Sequence, residues 1–268
     1  MGCKRTFVCL SLMFCLLVLG CSSKTSSRSH SLTIAGSTSV QPFAEKLSEI
    51  YMELYPREVV NVQGGGSTAG IKACRQRAAQ IGTSSRDLHP EENDLKKIII
   101  AWDGIAIIVH PQNPIQKITL KQLQGIFSGK IRFWSELGGA KKPIFFVTRE
   151  EGSGTRDAFE SLAMKKMEIS NEALVEDSNG AVREIVGHNP FAIGYISFGI
   201  VNHQVKALAV NSVQPSLSTI KEREYQLTRP FLFVVNEPVT SQASRFIEFV
   251  LTKNGQQILE KEGLVGIL

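Results

Sequence analysis

Three short turns rich in Gly, Ser and Thr, each between an apolar run and a helical pattern, constrain this chain most. They are Gly-Ser-Thr-Ser at 36–39, Gly-Gly-Gly-Ser-Thr at 64–68 and Gly-Ser-Gly-Thr at 152–155. The first turn of a helix exposes backbone N–H groups without partners inside the helix, and the helix dipole adds about half a positive charge there. Such an end is a natural anion site. The three turns together predict a pocket that holds a small oxyanion without a metal.

Apolar runs alternate with amphipathic stretches along most of the chain, which favours an α/β architecture built on a central sheet. Strands are predicted at 32–35, 59–63, 98–109, 144–148, 192–197 and 231–236. Helices are predicted at 41–55, 69–79, 120–127, 157–165, from 178–180 onward, and as one long amphipathic helix over 241–262.

The first twenty residues have the pattern of a secretory signal, because Lys4 and Arg5 precede an apolar stretch at 7–19. The stretch ends in Val-Leu-Gly-Cys, which resembles a bacterial lipobox with Cys21 as the lipidated first residue of the mature chain. Residues 21–31 are then a flexible tether rich in Ser, Thr and Lys. The alternative is an ordinary cleaved signal that is followed by an incidental cysteine.

Cysteine use and charge exclude several classes of protein. Of the five cysteines only Cys74 lies in the body of the chain, so an exported form has no intramolecular disulfide. Cys74 is expected to be a small buried apolar residue. The formal net charge of +5 falls to +3 once Lys4 and Arg5 are removed with the signal, which is a mild bias towards anionic partners. No basic run is interleaved with aromatic residues, so nucleic acid is not a predicted partner.

Arg149 is the strongest candidate for a charged ligand-binding residue. Its planar guanidinium can bind two oxygens of a tetrahedral anion, and it directly precedes one of the glycine turns. A buried arginine needs a carboxylate nearby, and Glu151 is predicted to orient it. Ser153 and Thr155 supply hydroxyls, while Gly154 allows a close approach of the backbone. The alternatives are a surface arginine and simple helix capping.

Enzyme motifs are incomplete in this sequence. Residues 65–72 lack the Gly-Lys-Ser/Thr ending of a P-loop, and the Ser-x-x-Lys pattern at 218–221 lacks a Lys-Thr-Gly partner. The five histidines do not lie at metal-ligand spacing from a cysteine or carboxylate. We therefore predict no catalytic residue, no metal and no cofactor.

Six stretches, in order along nearly the whole mature chain, resemble one family of binding proteins. They are A-G-S-T-S-V-Q-P (35–42), Q-G-G-G-S-T-A-G-I-K (63–72), I-G-T-S-S-R (81–86), L-x-x-I-F-S-G-K-I-x-x-W (123–134), R-E-E-G-S-G-T-R (149–156) and N-G-A-V-R-E-I-V-G-x-N-P-F-A-I-G-Y-I-S (179–197). The family is the PstS family, the phosphate-binding components of phosphate ABC importers.

The resemblance implies a two-lobed, type II periplasmic-binding-protein fold in which each lobe is a sheet flanked by helices and the ligand lies between the lobes. Lobe 1 would comprise 32–109 and about 211–268, and lobe 2 about 110–210. The hinge is expected near 109–111 and again around 205–228.

The resemblance also implies a set of ligand contacts. They are Thr38, Ser39, Ser67, Ser85, Arg149, Ser153, Gly154 and Thr155, with Glu151, Thr68 and Arg86 in supporting positions. The best-known family members have an aspartate where this chain has Ser85, and that carboxylate accepts the proton of bound phosphate. A serine there adds no charge that repels sulfate, which has no proton near neutral pH.

By resemblance the chain is expected to be a phosphate-binding lipoprotein, anchored through Cys21 on the extracytoplasmic face of a membrane. It would be a monomer that delivers phosphate to the permease subunits of an ABC importer, and not an enzyme. The alternatives are a receptor for another tetrahedral oxyanion such as sulfate or molybdate, an anion-sensing or host-contact lipoprotein on the same scaffold, and a phosphatase.

Overall fold

The computed structural model describes residues 30–165 and 167–268. The predicted signal segment, Cys21 and residues 22–29 of the predicted tether lie outside the described residues. Residues 30 and 31, assigned to the tether from the sequence, belong instead to the first strand, because they pair with Glu58 and Val59. Within the described ranges, every helix is too short or too polar to cross a bilayer.

Strands and helices alternate as the sequence indicates. The strands are β1 (His30–Gly36), β2 (Glu58–Gln63), β3 (Ile81–Ser84), β4 (Lys96–Val109), β5 (Lys117–Ile118), β6 (Phe145–Arg149), β7 (Leu174–Glu176), β8 (Ala192–Ser197), β9 (Lys206–Ala207), β10 (Ala209–Val210) and β11 (Thr228–Val235). The helices are α1 (Gln41–Leu54), α2 (Ser67–Arg75), α3 (Leu120–Phe127), α4 (Gly154–Phe159), α5 (Asn179–His188), α6 (Leu217–Lys221), α7 (Ser241–Leu251) and α8 (Lys253–Lys261).

The main sheet has the strand order β2-β1-β3-β11-β4-β8-β6-β7, with β9 also beside β4. The long strand β4 joins its two halves. It pairs antiparallel with β11 as far as Gly104 and with β8 from Ile105 onward. The chain returns at Leu227, whose carbonyl accepts a hydrogen bond from the N–H of Ile105 at 2.8 Å.

Each half of the sheet has its own main hydrophobic core, which defines two lobes. In lobe 1, α1, α7 and α8 cover the sheet, and Phe43, Phe231 and Phe246 are buried between them. In lobe 2, Phe159 stacks on Tyr195 with ring centroids 4.0 Å apart. Each such side chain contributes about 1.5–3 kcal/mol through removal of apolar surface from water. The two cores let the lobes pack independently on either side of a cleft.

Three predicted helices differ from the observed ones. The helix predicted at 69–79 begins at Ser67 and already ends at Arg75. The helix predicted at 157–165 begins earlier, at Gly154, and continues as a π-helix over Glu160–Met164. The predicted long helix over 241–262 is wrong, since α7 and α8 are separate. Thr252 between them is extended (φ −68°, ψ 161°), and its hydroxyl accepts a hydrogen bond from the N–H of Gly255 at 3.2 Å.

Gly255 explains why the second helix can fold back so closely. A Cβ at this position would overlap the carbonyl oxygens of Phe249 and Val250 at the end of α7. Cys74 is buried, as the sequence predicts.

Candidate functional site

Several chain segments meet where the carboxyl ends of β1, β3 and β6 face the cleft between the lobes. The turn after β1 carries Thr38 and Ser39, and α2 begins at Ser67. From lobe 2, α4 begins at Gly154 and α5 at Asn179. The backbone N–H of Thr68 donates to the carbonyl of Gly152 at 3.1 Å, so two of the predicted anion-binding turns are in direct contact.

Ser39 lies at the centre of a buried polar cluster that spans both lobes. Its hydroxyl is 2.7 Å from that of Thr155 and accepts a hydrogen bond from Asn179 Nδ2 at 2.8 Å. Arg229 Nη2 also donates to it, at 3.3 Å. The neighbouring hydroxyl of Thr38 accepts from Arg149 Nη2 at 3.1 Å. The first predicted turn is therefore bonded to lobe 2 through side chains.

Ser67, Ser85 and Gly154 converge on a second point of the cleft. Ser67 Oγ accepts a hydrogen bond from the backbone N–H of Ser85 at 3.2 Å. A Cβ added to Gly154 would overlap Ser67 Oγ and lie 2.8 Å from Ser85 Oγ. The Ser85 hydroxyl is buried and has no hydrogen-bond partner among the residues that the structure describes. This leaves one buried donor free beside the start of α4.

Arg149 ends β6 with only 1 % of its surface exposed. Its Nε donates to Glu150 Oε2 at 2.9 Å and its Nη2 to Glu150 Oε1 at 3.0 Å. The backbone carbonyls of Glu176 and Asp177 accept further hydrogen bonds from the same two nitrogens. Nη1 is buried without a partner in the described ranges. The guanidinium is therefore fixed on one side and free on the other.

The acidic partner of Arg149 is Glu150, so the prediction of Glu151 in that role is wrong. Glu151 is exposed in the turn that follows β6. Glu150 is only partly buried, yet it folds back over the guanidinium, while Gly152 (φ +87°) completes the turn with a conformation that favours glycine.

Arg229 and Asp103 form a fully buried ion pair that sequence reasoning missed. They are register partners on β11 and β4, and Arg229 Nε and Nη2 donate to Asp103 Oδ2 at 3.1 and 3.0 Å. Burial raises the pKa of Asp103 and lowers the pKa of Arg229, because both charged forms lose hydration. Arg229 Nη1 also donates to the carbonyl of Ser85 at 3.2 Å. The pair supports the lobe 1 wall of the cleft.

Asn179 was also not predicted as a site residue. Besides its bonds to Thr38 and Ser39, its Oδ1 accepts a hydrogen bond from the N–H of Ser197 at 3.1 Å. An available signal was its position at the start of α5, next to the N-cap Ser178. Asp103 lies inside one predicted apolar strand, and Arg229 lies just before another. A charged residue in such a place is a sign that it has a buried partner.

The supporting residues Arg86 and Thr68 lie beside this cluster, since Arg86 Nη2 donates to Thr68 Oγ1 at 3.4 Å. Ser153 is buried and caps α4 by accepting a hydrogen bond from the N–H of Arg156. The structure thus brings the predicted ligand contacts, together with Thr68 and Arg86, to the cleft or its edge, and leaves Glu151 exposed in the turn after β6. Over residues 30–165 and 167–268, no cluster of His, Cys, Asp or Glu could hold a metal ion.

The arrangement brings together hydroxyls, helix N-termini and one partly free guanidinium. These are the donors that surround a tetrahedral oxyanion in proteins. They come from both lobes, so a ligand bound here would join the two lobes.

Comparison with known proteins gives a consistent result. A family model of the PBP superfamily domain matches residues 22–254. The phosphate-binding protein PstS of Bacillus subtilis is 33 % identical over 247 residues, which cover 89 % of this chain and 81 % of that protein.

Two crystal structures have similar folds. A phosphate ABC transporter substrate-binding protein with bound phosphate from Clostridium perfringens is 40 % identical, with a TM-score of 0.86, over 89 % of this chain and 100 % of that one. An ABC-type phosphate transport receptor from Vibrio cholerae is 38 % identical, with a TM-score of 0.74, over 87 % and 99 %. These matches confirm the predicted type II periplasmic-binding-protein fold. The chain belongs to the PBP superfamily and, within it, to the PstS family of binding proteins.

Proposed function

We propose that this chain is an extracytoplasmic receptor that captures inorganic phosphate and delivers it to an ABC importer. The observation that carries the proposal is a pair of buried donors, Arg149 Nη1 and Ser85 Oγ, which lack partners among the described residues and lie on opposite lobes. A buried charged donor without a partner is costly, so a bound anion stabilises the site. The names of the similar proteins from Bacillus subtilis, Clostridium perfringens and Vibrio cholerae support phosphate as that anion.

The proposed ligand contacts come from both lobes and make no covalent bond to phosphate. Lobe 1 provides Thr38, Ser39, Ser67 and Ser85, and lobe 2 provides Arg149, Ser153, Gly154 and Thr155. Glu150 orients Arg149 in the place predicted for Glu151. Because the ligand contacts both lobes only when the cleft is closed, it shifts the population towards the closed form.

We place the hinge at Gly104–Ile105 and Leu227–Thr228, where the pairing of β4 changes and where the chain returns to β11. The first point differs from the crossing predicted at 109–111, and the second lies at the end of the predicted range 205–228. β4 stays continuous through the change of partner, so a small twist of this strand can open the cleft.

Phosphate titration calorimetry on Arg149→Ala tests the proposal. We expect the variant to lose phosphate heat, with an affinity at least a hundredfold weaker, because the charged fork is gone and Glu150 is left unpaired. Arg132→Ala is the matched control, since Arg132 pairs with Glu172 on the exposed surface and should leave the titration unchanged. Equal phosphate heats in Arg149→Ala and the wild type would contradict the site.

We further propose that Cys21 carries the lipid that anchors the receptor, and that the body acts as a monomer beside its permease. The lipobox-like sequence before Cys21 supports this. Labelled palmitate should be incorporated into the wild-type protein and not into Cys21→Ser, which should be released from membranes. Membrane retention of the Cys21→Ser protein would exclude the anchor.

Sulfate is the second candidate ligand. The position that faces Ser67 and Gly154 carries the neutral hydroxyl of Ser85. The carboxylates of Glu150 and Asp103 each pair with an arginine. A hydroxyl can donate to either anion and repels neither.

A further inference from the structure

Beside the anion site, one carboxylate of lobe 2 reaches across the cleft to two basic residues of lobe 1. Asp157 Oδ2 lies 2.8 Å from Arg86 Nε and 2.8 Å from His89 Nε2. Asp157 is in the first turn of α4, the helix that begins at the anion-binding turn. Opening of the cleft would therefore separate Asp157 from both partners.

The charge of Arg86 is already balanced within lobe 1. Its Nη1 and Nη2 donate to Glu92 Oε2 and Oε1 at 2.7 and 2.9 Å, and only 4 % of its side chain is exposed. Burial alone would raise the pKa of Glu92, but the Arg86 guanidinium and the N–H of His89 bring it below its usual range. The Nε–H of Arg86 is not aligned with Asp157 Oδ2, so that contact is an ion pair without a hydrogen bond.

His89 is consequently the residue that can complete the charge balance of Asp157. With a neutral His89, the group Arg86, Glu92 and Asp157 has one excess negative charge, and protonation of His89 cancels it. The remaining charges that face this place have their own partners, since Asp87 pairs with Lys97 and Arg229 with Asp103.

Close packing does not hold the lobes together at this point. The cleft contains a cavity of about 190 Å³ that is lined from both lobes, including Arg86, His89 and Asp157. Asp157 and His89 keep 36 % and 42 % of their side-chain surface exposed. Water can therefore replace the contact when the lobes separate, as a reversible closure requires.

We propose that Asp157, together with Arg86 and His89, is an inter-lobe clasp that slows the release of the bound anion and that tightens when His89 is protonated. The clasp rests on the proposed function, because it acts on the closed form that holds phosphate. Asp157 acts by positioning α4 against lobe 1.

Rates of phosphate binding and release, measured by rapid mixing on the full mature protein, test the clasp. In Asp157→Asn we expect release at pH 5.5 to be about five- to thirtyfold faster, a change typical of 1–2 kcal/mol, with little change in the rate of binding. Asp94→Asn is the matched control, because it breaks an exposed ion pair with Arg75 inside lobe 1 and should leave both rates unchanged. Melting curves of the ligand-free proteins verify that each variant is folded.

His89→Gln tests the pH dependence. The ratio of its release rate to that of the wild type is taken at each pH, so that the titration of phosphate itself cancels. We expect a ratio near one at pH 8 that rises about two- to fivefold at pH 5.5, as for a part-exposed ion pair.

The outcomes separate the two proposals. The clasp is overturned if phosphate leaves Asp157→Asn as slowly as it leaves Asp94→Asn. It is also overturned if the His89→Gln ratio does not change with pH. In either case, a normal heat of phosphate binding leaves the proposed function intact. A wild-type protein that binds no phosphate overturns both.

Discussion

At the residue scale, the guanidinium of Arg149 is asymmetric in its bonding, and this asymmetry supports the anion-binding role that we propose for it. Nε and Nη2 bond to Glu150, Thr38 and the carbonyls of residues 176 and 177, whereas Nη1 is buried without a partner among the described residues. The bonds to Glu150 and to the two carbonyls lie within lobe 2, so they hold the side chain whether the cleft is open or closed, and under the proposed function Nη1 is already positioned when the anion arrives. Such pre-organisation raises affinity, because little side-chain entropy is lost on binding.

Gly154 gives a sharper test of the same site, because its lack of a side chain leaves room for the buried hydroxyls of Ser67 and Ser85. A Cβ at Gly154 would overlap Ser67 Oγ, so we expect Gly154→Ala to weaken phosphate binding about ten- to a hundredfold, as overpacking of 1–3 kcal/mol implies. Calorimetry with phosphate measures the change.

Gly180→Ala is the matched control for this substitution. Gly180 lies in the first turn of α5, where an added Cβ would meet only Ser178 Oγ at 3.9 Å. Its phosphate affinity should equal that of the wild type. Equal affinities in Gly154→Ala and Gly180→Ala would mean that α4 does not approach the ligand through Gly154.

The site was predictable where it depends on local sequence and not where it depends on pairing across the sheet. Thr38, Ser67 and Ser153 follow from turn-to-helix patterns that act within a few residues. Arg229 and Asp103 meet only because β11 and β4 are neighbours in register, which no local pattern encodes. Glu150 and Glu151 are adjacent acids, and their order in the sequence does not show that Glu150 is the one that bonds to Arg149.

At the scale of elements, the same distinction between local sequence patterns and tertiary contacts explains which helix and strand bounds the sequence predicts. The helices predicted at 120–127 and from 178–180 onward are both observed, and Thr119 and Ser178 cap them through their side-chain hydroxyls. The break between α7 and α8 was missed because both helices are amphipathic and Thr252 is neither glycine nor proline. The break depends on tertiary contact, because α8 folds back so that Gly255 lies against the carbonyl oxygens of Phe249 and Val250.

Strand β4 is a second element with a feature that its sequence does not reveal. Its buried run was predicted at 98–109 and extends over Lys96–Val109, but apolar residues on both sides of Gly104 conceal the change of partner. Asp103 is the one trace in the sequence, a charge inside an apolar strand. It marks the point where β4 passes from one lobe to the other beside the cleft.

At the scale of the whole molecule, the two lobes have separate cores and are joined by β4, by the return to β11 and by polar contacts across the cleft. Those contacts include Ser39 with Thr155 and Arg149 with Thr38. A ligand that bonds to both sides adds to them only in the folded, closed molecule. The free energy of unfolding must therefore rise with ligand concentration.

Thermal unfolding of the wild type with phosphate and with sulfate tests this linkage and the choice of anion together. At a phosphate concentration of about a hundred times Kd, the added stability is about 2.7 kcal/mol, and for a chain of this size the expected rise in Tm is about 5–10 °C. Arg149→Ala should show no such rise. If phosphate is the ligand, sulfate at the same concentration should raise Tm less. A larger rise with sulfate would assign the site to sulfate, since Ser85 adds no charge that excludes it.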